Sequence, residues 1–193
     1  MPILCDTSVI LMLIRIAPDM FLDSDYECCT IRPVRDELFR TQKFKTKYAW
    51  RNEYKTHIRC LPMEIAESED TKRYLDAIHS LTSHGTMNET TGRDFGLSYV
   101  DKAFLSCALA NGFRISTGEV EMKLFAAQEF GKQFKGWISP LGIINSWIKR
   151  KLIPWDDSHQ NILREWEKDN EHAQPQRQKP IFKKLTRMKY PGP

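Results

Sequence analysis

The sequence has no apolar run long enough to cross a bilayer. The stretch from Val9 to Ala17 is interrupted by Arg15 and falls well short of the roughly 20 residues that a spanning helix needs. No small-residue cleavage site follows it, so the sequence predicts neither leader nor membrane anchor and a cytoplasmic location. Cysteine is poorly spaced for a structural role. The five residues Cys5, Cys28, Cys29, Cys60 and Cys107 are odd in number and form no CxxC or Cys/His pattern, which argues against a zinc site and for reduced thiols. No GxGxxG follows the first strand-like run, so a Rossmann nucleotide site has no support. His57, His79 and His84 have no partner spacing suited to catalysis, and no internal repeat is present. Acid is missing altogether between Pro175 and Pro193.

What is present fits a globular protein. The chain has 193 residues, 41% hydrophobic and 11% aromatic, enough for a core without disulfides or structural metals. The net charge of +4 is unevenly spread: Arg177, Lys179, Lys183, Lys184, Arg187 and Lys189 lie in the acid-free end. The remainder is close to neutral. A basic end points either to a polyanion or acidic partner, or to simple solubilisation.

Strand-like and helix-like segments alternate. Ile3 to Asp6 reads as a strand, Ser8 to Ile16 as an apolar helix, Tyr26 to Ile31 as a strand, and Pro33 opens a helix. Thr41 to Arg59 is polar, basic and helix-like. Ala66 to Leu81 is helical and His84 to Gly96 a loop. A clean helix from Tyr99 to Ala110 is closed by Gly112. Strand Phe113 to Ser116, helix Val120 to Phe130, short strand Trp137 to Ser139, and helices Leu141 to Ile153 and Asp157 to Glu171 follow. From Ala173 onward, prolines among cations predict a segment that does not pack by itself. The alternation predicts an α/β fold with a parallel sheet, whose sites form at the carboxyl ends of the strands.

Four acids fall at such places. Asp6 ends the first apolar run, where an unpaired charge would be costly to bury; it is also suited to cap the next helix. Glu37 lies in the helix after the second strand, with Asp36 as its rival. Asp101 completes Ser98-Tyr99-Val100-Asp101, a capping-box pattern. Glu119 follows Ser116-Thr117-Gly118, with Glu121 two residues on, and acids in a first helical turn also favour the helix dipole. Clustered carboxylates raise one another's pKa values, and a hard divalent cation, Mg²⁺ or Mn²⁺, relieves the repulsion. Such a site suits phosphodiester hydrolysis by metal-activated water. A haloacid-dehalogenase-like phosphatase would need a second Asp where Ser8 stands.

The order Asp6-Thr7-Ser8, Glu37-Leu38, Leu97 to Leu105 with Asp101 inside it, and Ile115 to Glu119 resembles the PIN domain, a family of metal-dependent ribonucleases that includes VapC-type toxins and RNA-processing nucleases. The resemblance spans roughly Met1 to Ser139. It implies a three-layer sandwich around a mainly parallel sheet in residues 1–139; the region beyond exceeds the family pattern, and its residues predict C-terminal helices in 140–172 packed on the domain and a basic flexible tail in 173–193. The resemblance implies that Asp6, Glu37, Asp101 and Glu119 are catalytic and hold Mg²⁺ or Mn²⁺, supported by Thr7, Ser8, Thr117 and Glu121. Glu119 stands where the family commonly has Asp, one methylene shorter. The implied activity is endoribonuclease, as the toxin of a toxin–antitoxin pair or as a free-standing RNA-processing enzyme; the alternative is a weak or inactive PIN-fold module that binds RNA or protein.

A nucleic-acid surface is expected beside the Glu37 helix. Arg40, Lys43, Lys45, Lys47, Arg51 and Lys55 are interleaved with Tyr48, Trp50 and Tyr54, a pattern of cations for phosphates and rings for unstacked bases. The same residues also suit a solvated helix with inward aromatics. In the basic end, Phe182, Leu185 and Tyr190 are spaced as anchors for a partner: RNA, a protein antitoxin, or a second copy of the chain.

Overall fold

The computed structural model describes residues 1–169 and 174–192. Three short parallel strands form its sheet: β1 (Ile3–Cys5), β2 (Cys28–Cys29) and β3 (Arg114–Ser116), in the order β2-β1-β3. Ile3 pairs with Cys28 on one side and Arg114 on the other. Parallel neighbours require crossovers, which the helices supply. They are α1 (Thr7–Leu13), α2 (Arg32–Arg40), α3 (Gln42–Lys47), α4 (Met63–Ala66), α5 (Glu69–Ser83), α6 (Tyr99–Asn111), α7 (Val120–Phe130), α8 (Pro140–Lys149), α9 (Asp157–Lys168) and α10 (Gln178–Thr186). The fold is therefore α/β, with a small parallel sheet among many helices. No described helix is long and apolar enough to cross a membrane.

β1 and α1 form the centre of the core. Leu4, Val9, Ile10 and Leu13 are completely buried, and Leu11 and Met12 are nearly so. A helix apolar on every side has to be enclosed by protein, and α1 is. Phe104, Leu105, Phe125, Ile143 and Trp147 from α6, α7 and α8 complete the enclosure. α6 ends as its sequence predicts: Gly112 adopts φ 62° and donates back to the helix carbonyls, a conformation that costs glycine little.

Three expectations change. Tyr26 belongs to a short 3-10 turn, and Glu27 at φ 55° breaks the chain, so the second strand keeps only Cys28–Cys29. Trp137 makes one parallel bridge to Ile115 and no full strand. Most important, the described part of the basic end packs on the rest of the molecule. It forms α10 against α8, with Phe182 fully buried and Tyr190 nearly so.

The physical reason is a set of anchors within the chain. Phe182 meets Trp155 edge-on at 5.0 Å and Tyr190 at 6.0 Å. Asn145 Nδ2 donates to the Gln178 carbonyl (3.0 Å) and to its side-chain oxygen (2.9 Å). Gln174 accepts from the Leu141 amide (3.0 Å), Gln160 donates to the Lys189 carbonyl (2.8 Å), and the Tyr190 hydroxyl donates to Glu167 (2.5 Å). The segment thus finds its partners within the chain, in α8, in α9 and in Trp155 between them. Residues 170–173 and 193, which include the junction expected near 172, lie outside the described residues.

Candidate active site

The four acids reach one cleft from four separate elements. Asp6, Glu37, Asp101 and Glu119 all line a cavity of about 350 Å³, together with Thr7 and Ser8. It lies where β1 and β3 end, because Asp6 and Glu119 follow those strands directly.

Asp6 caps α1 and lines the cleft at the same time. Its Oδ1 accepts from the Val9 amide (2.8 Å) and the Ser8 hydroxyl (2.8 Å), and its Oδ2 from the Gly118 amide (3.3 Å). Burial pushes its pKa above the ordinary aspartate value, and contacts from Thr117, Val9, Ser8 and Gly118 pull it back only in part. The carboxylate is held in place by donors from both strand ends, so its orientation is fixed before any ligand arrives.

Glu37 sits one turn into α2 and accepts a short hydrogen bond from the buried Thr7 hydroxyl. Asp36, its rival in the sequence, instead pairs with Arg40 at 3.2 Å. Asp101 completes the capping box: its Oδ2 accepts from the Ser98 amide (2.9 Å) while Ser98 Oγ accepts from the Asp101 amide (3.1 Å). The capping role and the cleft position are therefore compatible. Among the described residues, no hydrogen bond is accepted by Glu37 Oε1 or Asp101 Oδ1. Glu119 stands at the N-terminus of α7, exposed, with its amide donating to Thr117 Oγ1 (2.9 Å). Thr117 itself is buried. Glu121 departs from the cleft set: it is exposed and accepts from the Gly96 amide (3.4 Å), tying the loop before α6 to α7.

Lys123 was not singled out in the sequence. It lies one turn after Glu119, within the electrostatic reach of Asp6 and Glu119; burial lowers its pKa and those two carboxylates oppose the shift. Its ammonium rests 4.6 Å from the Trp137 ring centre. The i,i+4 relation of Glu119 and Lys123 on α7 is the signal that could have found it. The donor set of the cleft is all oxygen, which suits Mg²⁺ or Mn²⁺ rather than softer metals. Among the described residues, no three acidic, histidine or cysteine side chains are grouped closely enough to form a ready metal cage. The carboxylates share a cleft wall rather than a closed shell.

The basic stretch beside the cleft divides in two. Arg40, Lys43, Lys45, Lys47 and Lys55 are exposed. Arg51 is not available to a ligand: it is 2% exposed, and donates to the carbonyls of Leu38 (2.9 Å), Phe44 (2.8 Å) and Tyr48 (3.1 Å). Its guanidinium serves the C-terminal ends of α2 and α3, where cations are favoured. The interleaved rings are also engaged. Phe44, Tyr48, Trp50 and Tyr54 follow one another at 5.9–6.0 Å, tilted or edge-on, and Trp50 carries Arg15 over its face at 5.3 Å. All five cysteines are free thiols, and burial pushes Cys5, Cys29 and Cys107 up, the last to about 11, so these three are poor nucleophiles.

No family model, characterised protein or solved structure matches this chain.

Proposed function

We propose that the chain is a metal-dependent endoribonuclease of PIN-like fold. The observation that carries this reading is the convergence of Asp6, Glu37, Asp101 and Glu119, from four elements, on one cleft at the strand ends. Asp6, Glu37 and Asp101 are the residues that would hold Mg²⁺ or Mn²⁺, with Glu119 beside them. A bound divalent ion would compensate the buried charge of Asp6 and would supply an activated water and charge neutralisation at a phosphodiester. The chain's own residues do the positioning. Ser8 and the amides of Val9 and Gly118 orient Asp6, Thr7 orients Glu37, and the Ser98 amide orients Asp101. Lys123 offsets part of the negative charge beside Glu119. The exposed cations from Arg40 to Lys55 draw RNA to the same side of α2. A toxin restrained by a protein antitoxin and a free-standing RNA-processing enzyme both fit this chemistry.

The second reading is a PIN-fold module that binds RNA or protein without cutting. Two features favour it: the wall-like spread of the acids, and the exposed Glu119 in place of a shorter Asp. The two readings separate on one set of measurements. The nuclease reading expects single-stranded RNA to be cut with Mg²⁺ or Mn²⁺, to survive in EDTA, and to survive Asp101→Asn in a folded protein. It also expects calorimetric Mn²⁺ binding by the wild type and none by Asp6→Asn. Purified, partner-free wild type that leaves every RNA intact overturns the nuclease and leaves the binding module.

A further inference from the structure

The acid cleft continues into a second cavity that the proposed chemistry does not use. Glu37 and Val100 line the cleft and also a groove shared with Arg32, Arg40 and Tyr99. The groove adjoins a pocket of about 230 Å³ between α2, α4, α5 and α6, which shares Arg32, Glu67 and Tyr99 with it and has a mainly apolar wall of Leu61, Met63, Ala66 and Leu75. Drug-sized ligands begin at roughly 300 Å³, so this pocket is sized for a smaller group. Tyr99 stands at the junction and lines both spaces, two residues before Asp101 on α6.

Tyr99 is unusual among the rings of this molecule. It is 69% exposed, whereas Phe44, Tyr48, Trp50 and Tyr54 pack against one another. No described aromatic side chain pairs with it. An exposed ring at a helix N-terminus adds little to the core, and this one stands beside the acid cleft, where a base of a strand lying in the cleft can stack on it. Arg32 and Arg40 supply cations along the groove. Asp36 and Glu67 also face it, and Asp36 is paired with Arg40. The groove is therefore mixed in charge, and the pocket joins its apolar wall to Glu67, Thr71 and Lys72, unlike a pure phosphate track.

From this continuity we infer that the groove is a nucleobase site: an unpaired base of single-stranded RNA, neighbouring the scissile phosphate, stacks on Tyr99 and enters the pocket between Met63 and Leu75, while Arg32 meets the adjoining phosphate. The inference rests on the ribonuclease reading for the kind of ligand, and it moves base recognition away from the Trp50 stretch to the mouth of the cleft. Stacking on an exposed ring is tolerant of sequence, so the site sets the need for an unpaired base rather than its identity.

The test uses the full chain without divalent ions, so that binding is read apart from cutting. A short single-stranded RNA carrying one 2-aminopurine is titrated while anisotropy and base fluorescence are followed. Tyr99→Ala should bind about tenfold more weakly and lose the fluorescence change, and Tyr99→Phe should keep both. Replacing the 2-aminopurine nucleotide by an abasic one should cost the wild type the same factor and Tyr99→Ala nothing. Equal affinity of wild type and Tyr99→Ala overturns the site, as does a wild type that binds no RNA. Loss of a dimer in Tyr99→Ala at unchanged RNA affinity also overturns it, because the groove then belongs to a second copy. Wild type that shows the Tyr99-dependent stacking yet cuts nothing with Mn²⁺ supports the site and sinks the nuclease instead.

Discussion

Two stretches of this chain are alike in composition and opposite in what they do with it. Residues 40–59 and 175–192 are both rich in Lys and Arg and both carry spaced aromatic residues. In the first, the lysines stay in water, and the aromatic residues form a half-buried row of tilted and edge-on rings whose first member, Phe44, lines the acid cleft. In the second, Phe182 is buried against Trp155 and Tyr190 against Phe182, and Gln178, Lys189 and Tyr190 are hydrogen-bonded to α8 and α9. Neither stretch offers an open stacking ring of the kind the interleaved pattern leads one to expect. Basic residues with interspersed aromatics announce that a surface is positive. They do not say whether the rings face a ligand or the protein itself.

The largest effect separating the two stretches should come from Phe182→Ala. Emptying a fully enclosed site of a phenyl ring costs about 3–5 kcal/mol, to be read in chemical denaturation. RNA affinity of the molecules that remain folded should not change. A loss under 1 kcal/mol would mean that α10 is not held on α8 in solution.

A smaller and sharper contrast lies within the first stretch. Arg51→Met should destabilise by about 2–4 kcal/mol, because three buried carbonyls lose their donor, and should leave the salt dependence of RNA binding intact. Replacing Lys43, Lys45 and Lys47 together by Ala should do the reverse. Stability should move by less than about 1 kcal/mol, and the slope of log affinity against log salt should flatten by about 2. If the Arg51 variant alone flattens the slope, the division between anchor and phosphate contact is wrong. The same triple change at Lys183, Lys184 and Arg187 should leave the slope as it was.

The smallest effect is a pH dependence in the helix that clasps the C-terminal segment. Asp156 caps α9, and hydrogen bonds from Ser158 and the His159 amide hold its pKa down at about 2. Its folded value lies below the unfolded one of 3.8. The stabilisation is thus complete above the unfolded value and is lost as pH falls through the folded one. Wild type should melt above Asp156→Asn at pH 5, and the two melting curves should draw together by pH 2. A gap that stays constant over that range would remove the charge from the explanation.

Much of the candidate site could be read from the sequence because its acids occupy positions with local meaning. Asp6 follows an apolar strand, Asp101 completes Ser-x-x-Asp, and Glu119 opens a helix after a strand, all features of short range. The choice of Glu37 over Asp36 needed the fold, since only the placement of α2 against Thr7 turns one acid toward the cleft and leaves the other to Arg40. Lys123 was missed because a lysine in an amphipathic helix looks like any other until Asp6 is brought next to it. Arg51 was misread for the opposite reason: a cation in a basic run looks exposed, and nothing local shows that three helix-end carbonyls surround it.

By itself the sequence determined part of the order of strands and helices, because periodicity, capping residues and glycine stops act over a few residues: α7 begins and ends where the pattern places it, and Gly112 and Gly131 stop their helices. It also determined that a carboxylate would sit at the end of β1, since that follows from a single strand. Tertiary structure alone decided which polar groups face the cleft, which cation is buried, where an unpaired ring is left exposed, and that the basic C-terminal segment folds back on α8. The fold joins residues as much as 150 positions apart, such as Arg15 with Glu165, and burial is a property of the whole assembled core that no short window of sequence contains.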